Sequence, residues 1–488
     1  MDDAHPNDSE HITGPRPGLP WRWLVAIAAV CAIAFLIASR RISHRADIQS
    51  DKSATTNQGS SQAIAARPED RITNRHPYSE RHAVVPKATA EQIVASKVAQ
   101  FGRKRRDMVR AIAKRSHLEI PTEVERFFDA LEAGNWDEIH SRWHEMAVHS
   151  GQYDYSSKDT WEHINPFWPT ILDAYGVAEQ AHLWPAQQLL DYGNSVLGAL
   201  RPGMVYVGGT DPGRWIPELL NETGEGEQHI IVTQNAFADA RYIDFVNTQY
   251  ADQMKTLTMD DSQRAFQDYV SEAQKRLEHD QKFPDEPKQV RPGEDIKVID
   301  GRVMVSGMTA VMAINEKLLE TLMKNNPEMS FAIEESYSMR GTYTGALPLG
   351  PLMELNASSD QQTFTPERAT QAADYWRGAA EHILSDFDTT GSEDALKSYS
   401  HDAVAAANLL AAHDFASQAE ETYRIASKLW PGSVEATVGL ANVLGSTGRE
   451  AEARQLLDGF ARSYPNQRKD LERASKGITI TWSPPPKP

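Results

Sequence analysis

Cysteine is almost absent from this 488-residue chain: the single one, Cys31, lies in an apolar run near the start. The remainder therefore has no disulfide, no thiolate-ligated metal and no thiol nucleophile. Positive charge is in deficit as well. With 50 Lys and Arg against 68 Asp and Glu, a net charge of -18, the chain lacks the basic surface that a phosphate backbone demands. No nucleic-acid partner is expected. The histidine spacing of a zinc protease, the G-x-S-x-G elbow of a serine hydrolase and the G-x-G-x-x-G dinucleotide fingerprint are all missing. His140 and His144 stand four apart on one helix face, but no third ligand accompanies them. No catalytic set, metal or cofactor is expected.

Long hydrophobic runs are missing too, with one exception. WLVAIAAVCAIAFLIA, Trp23 to Ala38, holds 16 uncharged residues. Extended to Trp21–Ser39 it counts 19 residues, about 28 Å at helical rise, enough to cross a bilayer core. Arg40 and Arg41 follow directly and no small-x-small pair closes the run. An uncleaved single-pass anchor in a bacterial inner membrane is therefore expected over a cleaved signal peptide. Arg16 and Arg22 precede the run, while Arg40, Arg41 and Arg45 follow it. That count leans toward a cytoplasmic C-terminal part.

The expected fold is α/β plus α, with a tail at 1–20, the anchor at 21–39 and a Ser/Thr/Asn/Gln-rich linker at 40–88. A helical region at 89–200 comes next. Its run Arg103, Lys104, Arg105, Arg106 reads as one solvated helix face. At 201–357 the pattern changes to an α/β domain. VYVGG and HIIVTQ flank a short helix, which makes a βαβ unit with parallel strands. IKVIDGRVMV carries the Asp-Gly of a hairpin, and SFAIEESY and PLMELN read as further strands.

The segment VYVGGTDPGRW spaces Gly208 and Gly213 like a phosphate loop. Arg214 and Trp215 stand where lysine and Ser or Thr would be needed, and Asp211 puts negative charge in the cradle. The structural reading is a helix entry, with Asp211 as N-cap and Pro212 in the first turn. The functional reading uses the same place. Asp211 and Asn235 lie past the carboxyl ends of adjacent parallel strands, where open α/β sheets bind ligands. A carboxylate, an amide and the Arg214 guanidinium suit a polyhydroxylated ligand, with Asp239 and Arg264 at the same edge.

The region 364–476 is repetitive. Ser400–Ser433 and Val434–Gln467 are each 34 residues long, and Ala407/Ala441, Ala419/Ala453, Trp430/Tyr464 and Pro431/Pro465 fall in register. This is the tetratricopeptide pattern, whose stacked helix pairs hold a protein partner. Tyr423 and Leu440 are the repeat positions on which partner binding is expected to depend. The alternative is that so few repeats only brace the α/β domain.

Four ordered blocks carry a resemblance: GGTDPGRWIPELL, IIVTQNAFADARYID, MDDSQRAFQDYV and NPEMSFAIEESYSMRGTYTGALPLGPLMELN. Together they resemble the soluble C-terminal region of a family of large bacterial polytopic membrane proteins related to the eukaryotic lumenal protein O-mannosyltransferases. The family transfers sugars from polyprenyl-phosphate donors, using an acidic residue in a loop between membrane helices. This chain shows one span and no polytopic half, so the resemblance implies a domain without that catalytic residue. It also implies the periplasmic side, against the arginine count. SYSMRGTYTGALP departs from the family's Met-Tyr-Pro-His run after the acidic pair. The expectation is a non-catalytic, membrane-anchored scaffold for a protein partner in the cell envelope. The alternative is a glycan- or lipid-linked-sugar-binding module at the Asp211 edge.

Overall fold

A computed structural model describes residues 88–150, 162–299, 302–335, 342–355, 364–386 and 392–482. Helix α1 (Ala90–Ser116) starts in a capping box in which Thr89 and Gln92 each bond the other's backbone N–H. Helices α2 (Thr122–Ala133), α3 (Trp136–His149), α4 (Trp168–Leu183) and α5 (Ala186–Ala199) follow. Then come β1 (Val205–Gly208), α6 (Pro212–Glu222), β2 (Ile230–Thr233), α7 (Ala240–Tyr250) and α8 (Met259–Lys282). The hairpin strands β3 (Asp295–Ile299) and β4 (Arg302–Ser306) lead to α9 (Met308–Asn325), β5 (Phe331–Ile333), β6 (Leu347–Leu349) and β7 (Leu352–Leu355). The C-terminal helices are α10 (Pro366–Ser385), α11 (Glu393–Ala412), α12 (Ala416–Leu429), α13 (Val434–Ser446), α14 (Glu450–Ser463) and α15 (Arg468–Ala474).

The sheet runs β2-β1-β5-β7-β6. Strand β1 is parallel to both β2 and β5, with Val205 level with Ile230 and Phe331. Strand β7 is antiparallel to both β5 and β6. Side chains alternate across the pleat, so each strand serves two cores. Tyr206, Ile231, Ala332 and Leu352 face the core of α1–α6, while Val205, Val207, Val232, Phe331 and Ile333 face that of α7–α9.

These observations correct the expected fold class. The described residues are mostly helical, and the sheet is small and mixed, its strands three to four residues long. The expected α/β domain is not a separate layer structure, because helices α1–α5 share one core with a sheet face. Strands β3 and β4 pair as a two-stranded ribbon outside the sheet, with Val298 and Ile299 exposed; the Asp-Gly between them lies outside the described residues. No helix of the described residues is long and apolar enough to cross a membrane, and the Trp21–Ser39 run lies outside them.

The basic run of α1 is a solvated face only at Arg103, which is exposed. Arg105 is 1% exposed and enters the core, while Lys104 donates to the Glu222 carbonyl and Arg106 pairs with Asp129 and Glu132. Arg105 bonds Asp173 at 2.6 Å, Glu218 at 2.7 Å and both oxygens of Glu222 at 2.7 and 2.8 Å. Arg214 reaches the same group, meeting Asp173 Oδ1 at 2.7 Å and also Glu218. Burial disfavours the Asp173 carboxylate, but Arg105 and Arg214 on either side hold its carboxyl below the usual range. Three helices, α1, α4 and α6, are thus joined through one ionic cluster.

The 34-residue period corresponds to two helix pairs, α11–α12 and α13–α14. Ala407, Ala419, Ala441 and Ala453 are fully buried where the helices approach each other. Gly439 is required for a related reason: a Cβ there would stand 2.3 Å from the Tyr423 ring. Residues 479–482 lie back over the last pair, with Thr479 bonded to Asn442 and Trp482 to Asp458.

Replacing Arg105 by Met keeps most of the volume and leaves Asp173 and Glu222 with too little positive charge. The expected loss is about 3–5 kcal/mol of unfolding free energy in urea titration. A loss under about 1 kcal/mol would mean the cluster is not what joins these helices.

Candidate functional site

The three parallel strands end at a common edge. Two ladder bonds continue past them, Gln234 N–H to the Gly208 carbonyl at 2.8 Å and Glu334 N–H to the Val207 carbonyl at 3.0 Å. They hold the loops after β1, β2 and β5 side by side, bringing Asp211, Asn235 and Glu334 to one rim. Helix α11 closes over that rim from the repeat region. His401 Nε2 lies 2.9 Å from the Glu335 carbonyl, His413 Nε2 lies 2.7 Å from the Tyr343 carbonyl, and the Tyr192 hydroxyl donates to Asp402 at 2.9 Å.

Asp211 occupies the N-cap position of α6 with extended backbone, φ -155° and ψ 179°. Its carboxylate makes no capping bond, and Oδ1 has no partner. The expected capping role is therefore not what its side chain does. Asn235, 4% exposed, donates Nδ2 to Thr210 Oγ1 at 3.2 Å and leaves Oδ1 without a partner. Asp402, 3% exposed, uses Oδ2 for Tyr192 and also leaves Oδ1 without one. Three acceptor oxygens from three elements thus stand unsatisfied in one neighbourhood. Buried polar atoms are rarely left so.

Glu334 lies against the same loop. The Tyr206 hydroxyl is 2.5 Å from the Gly213 carbonyl and 3.1 Å from Glu334 Oε2. A phenol has one proton, and the carbonyl can only accept, so a protonated Glu334 donating to Tyr206 satisfies all three atoms. The electrostatics agree. Burial, with Asp211 and Asp402 beside it, pushes the Glu334 carboxyl well above the usual range, a rise that its contact with Tyr206 and the Gly209 N–H only moderates. Burial also pushes Asp402 up to about 7, opposed by His401 and the Tyr192 hydrogen bond and assisted by Asp211. Burial works against a charged His401, but Asp402 and Asp211 overcome it and raise the imidazole above its ordinary value. The close packing leaves no room at Gly213, where a Cβ would lie 1.7 Å from Glu334 Oε1.

The residues expected at this edge divide. Asp211 and Asn235 are at the site. Arg214 is not available to a ligand: besides Asp173 and Glu218 it donates Nε to the Gly209 carbonyl at 2.6 Å, and it is 4% exposed. Asp239 caps α7 and pairs with Arg241 at 2.7 Å. Arg264 is exposed on α8 and pairs with Asp261. Tyr423 and Leu440 are buried in the repeat core, 3% and 2% exposed. Glu334 and Glu335 fall within the expected SFAIEESY strand, but β5 ends at Ile333 and both side chains are buried past its end. Sequence reading missed His401 and Asp402, which look like ordinary positions on a repeat helix. His140 and His144 are exposed with parallel rings 6.4 Å apart, and among the described residues no group of three could hold a metal.

Comparison with known protein families, with characterised proteins and with solved structures gives no match to this chain.

The raised carboxyls fix a sign for pH dependence. Between the ordinary aspartate value of about 3.9 and about 7 for Asp402, the native chain holds a proton that the unfolded chain has released. Stability therefore falls as pH rises through this window, by up to about 1.4 kcal/mol per pH unit for one such group. His401, whose folded value is raised, acts in the same direction as pH climbs through that value. Asp402→Asn removes the Asp402 component, so its stability relative to the unaltered chain should improve from pH 4.5 to 7.5 in urea titrations. Parallel pH curves would refute the assignment.

A second expectation is steric. Gly213→Ala should expel Glu334 from the site and cost about 1–3 kcal/mol, read as a lowered urea midpoint with unchanged slope.

Proposed function

We propose that the chain is a binding module for a polyhydroxylated ligand, a glycan, held at the carboxyl edge of the three parallel strands. One observation carries the reading: Asp211, Asn235 and Asp402 each present an acceptor oxygen with no partner. Sugar hydroxyls donate to such oxygens. A phosphate brings only acceptors and more negative charge, which the neighbouring carboxylates repel. Thr210, Asp211, Pro212 and His401 are half-buried, and it is there that the site reaches the surface. The repeat helices serve this edge as a brace, since Ala405 and Leu409 of α11 pack into a core of the sheet.

Titration of the full chain against an oligosaccharide panel tests the reading. Asp211→Ala and Asn235→Ala should each weaken the bound sugar about tenfold, the loss of one or two hydrogen bonds. Affinity unchanged by both would place the sugar elsewhere.

A protein partner on the repeats is the second reading, supported by an open groove of about 890 Å³ between α12 and α14. Leu456, Gln455 and Tyr464 line it. Leu456→Arg should abolish crosslinking to a partner without changing the helical circular dichroism; retained crosslinking would remove the groove from consideration.

A further inference from the structure

Two buried acidic clusters lie among the described residues, and they differ in one respect. The first, Asp173, Glu218 and Glu222, contains its own cations, Arg105 and Arg214. The second, Asp211, Glu334 and Asp402, contains no guanidinium or ammonium among the described residues with which any of its carboxylates forms an ion pair. Arg214 starts only a few residues from Asp211, yet all its bonds run to Gly209, Asp173 and Glu218. His401 turns Nε2 to a backbone carbonyl.

The second cluster is also left short of donors. Asp211, Asn235 and Asp402 offer three unpartnered oxygens, and Asn235 and Asp402 are almost completely buried. A primary ammonium carries three N–H donors, no acceptor and a full positive charge. It matches the three oxygens in number and the carboxylates in sign. Neutral hydroxyls supply donors but add no positive charge to that of His401, which faces the three carboxyls alone.

We propose that this site takes an amino sugar, whose protonated amine sits among Asp211, Asn235 and Asp402. The inference rests on the glycan reading given above and narrows it. The sugar ring supplies hydroxyls to the remaining polar groups of the rim, and the ammonium supplies a positive charge beyond that of His401. Burial raises the carboxyls of Glu334 and Asp402, and the His401 imidazole opposes this only in part at Asp402, so protons stand where a further positive charge could.

Isothermal titration of the full chain at pH 7 separates the cases, using three trisaccharides of one β-1,4 skeleton: glucosamine, N-acetylglucosamine and glucose. The glucosamine trisaccharide should bind at least about tenfold more tightly than either neutral one, the range of a charge-assisted contact. In Asp402→Asn and Asp211→Asn that preference should collapse toward unity, with folding checked by circular dichroism. The two variants guard against misfolding of either, since Asp211 is half-exposed and Asp402 is buried. Equal binding of charged and neutral sugars would overturn the amine assignment and leave the glycan reading standing. Binding of none would overturn both. Calcium chloride titrated alone is the last arm: saturable micromolar binding lost in Asp211→Asn would replace the ammonium with a metal ion and overturn the proposal.

Discussion

A buried carboxylate needs a positive charge or a proton, and this molecule uses both remedies. Arg105 and Arg214 enter from α1 and α6 to meet Asp173, Glu218 and Glu222, and the helices must pack in the arrangement that lets them do so. Removing any one partner leaves an uncompensated charge in the core, so the cluster is costly to disturb and fixes one packing. The whole α1–α6 layer, and with it one face of the sheet, is held in that register.

The same constraint explains the rim of the sheet. Arg214 sits one turn inside α6, close to the Asp211 loop, but the ionic cluster draws its side chain away. The rim is left acidic, and Tyr206, Tyr192 and protons take up part of the demand. The two clusters are therefore not independent. Loss of Asp173 would release a guanidinium next to the very carboxylates that lack one.

What could be read from the sequence was whatever local pattern controls. Short β-branched runs marked β1 and β2, their parallel pairing followed from the intervening helix, and the 34-residue period located two helix pairs. Asp211 and Asn235 were legible because sheet topology puts loop residues at a strand's carboxyl edge. Arg105 was not, since its run of four basic residues carries no sign that one points inward to carboxylates 68 to 117 positions away. His401 and Asp402 were illegible for the same reason: a helix face is known to be buried only when its neighbour is known. The fold class was misjudged because strand signals count strands but not their length, and three-residue strands make a sheet too small to form its own layer.

Tyr192 and Asp402 meet across 210 positions of chain, and Gln188 and Asp386 across 198. The ionic cluster of α1, α4 and α6, by contrast, is complete once residue 222 is made. Assembly is therefore ordered in time during synthesis, with the charged core able to close early and the rim only after α11 has emerged. For the interval between, the acidic rim faces water, where its carboxylates ionise freely. Helix α11 converts an ordinary acidic surface into a desolvated one, so the burial that raises the Glu334 and Asp402 carboxyls arrives only once that helix has been made.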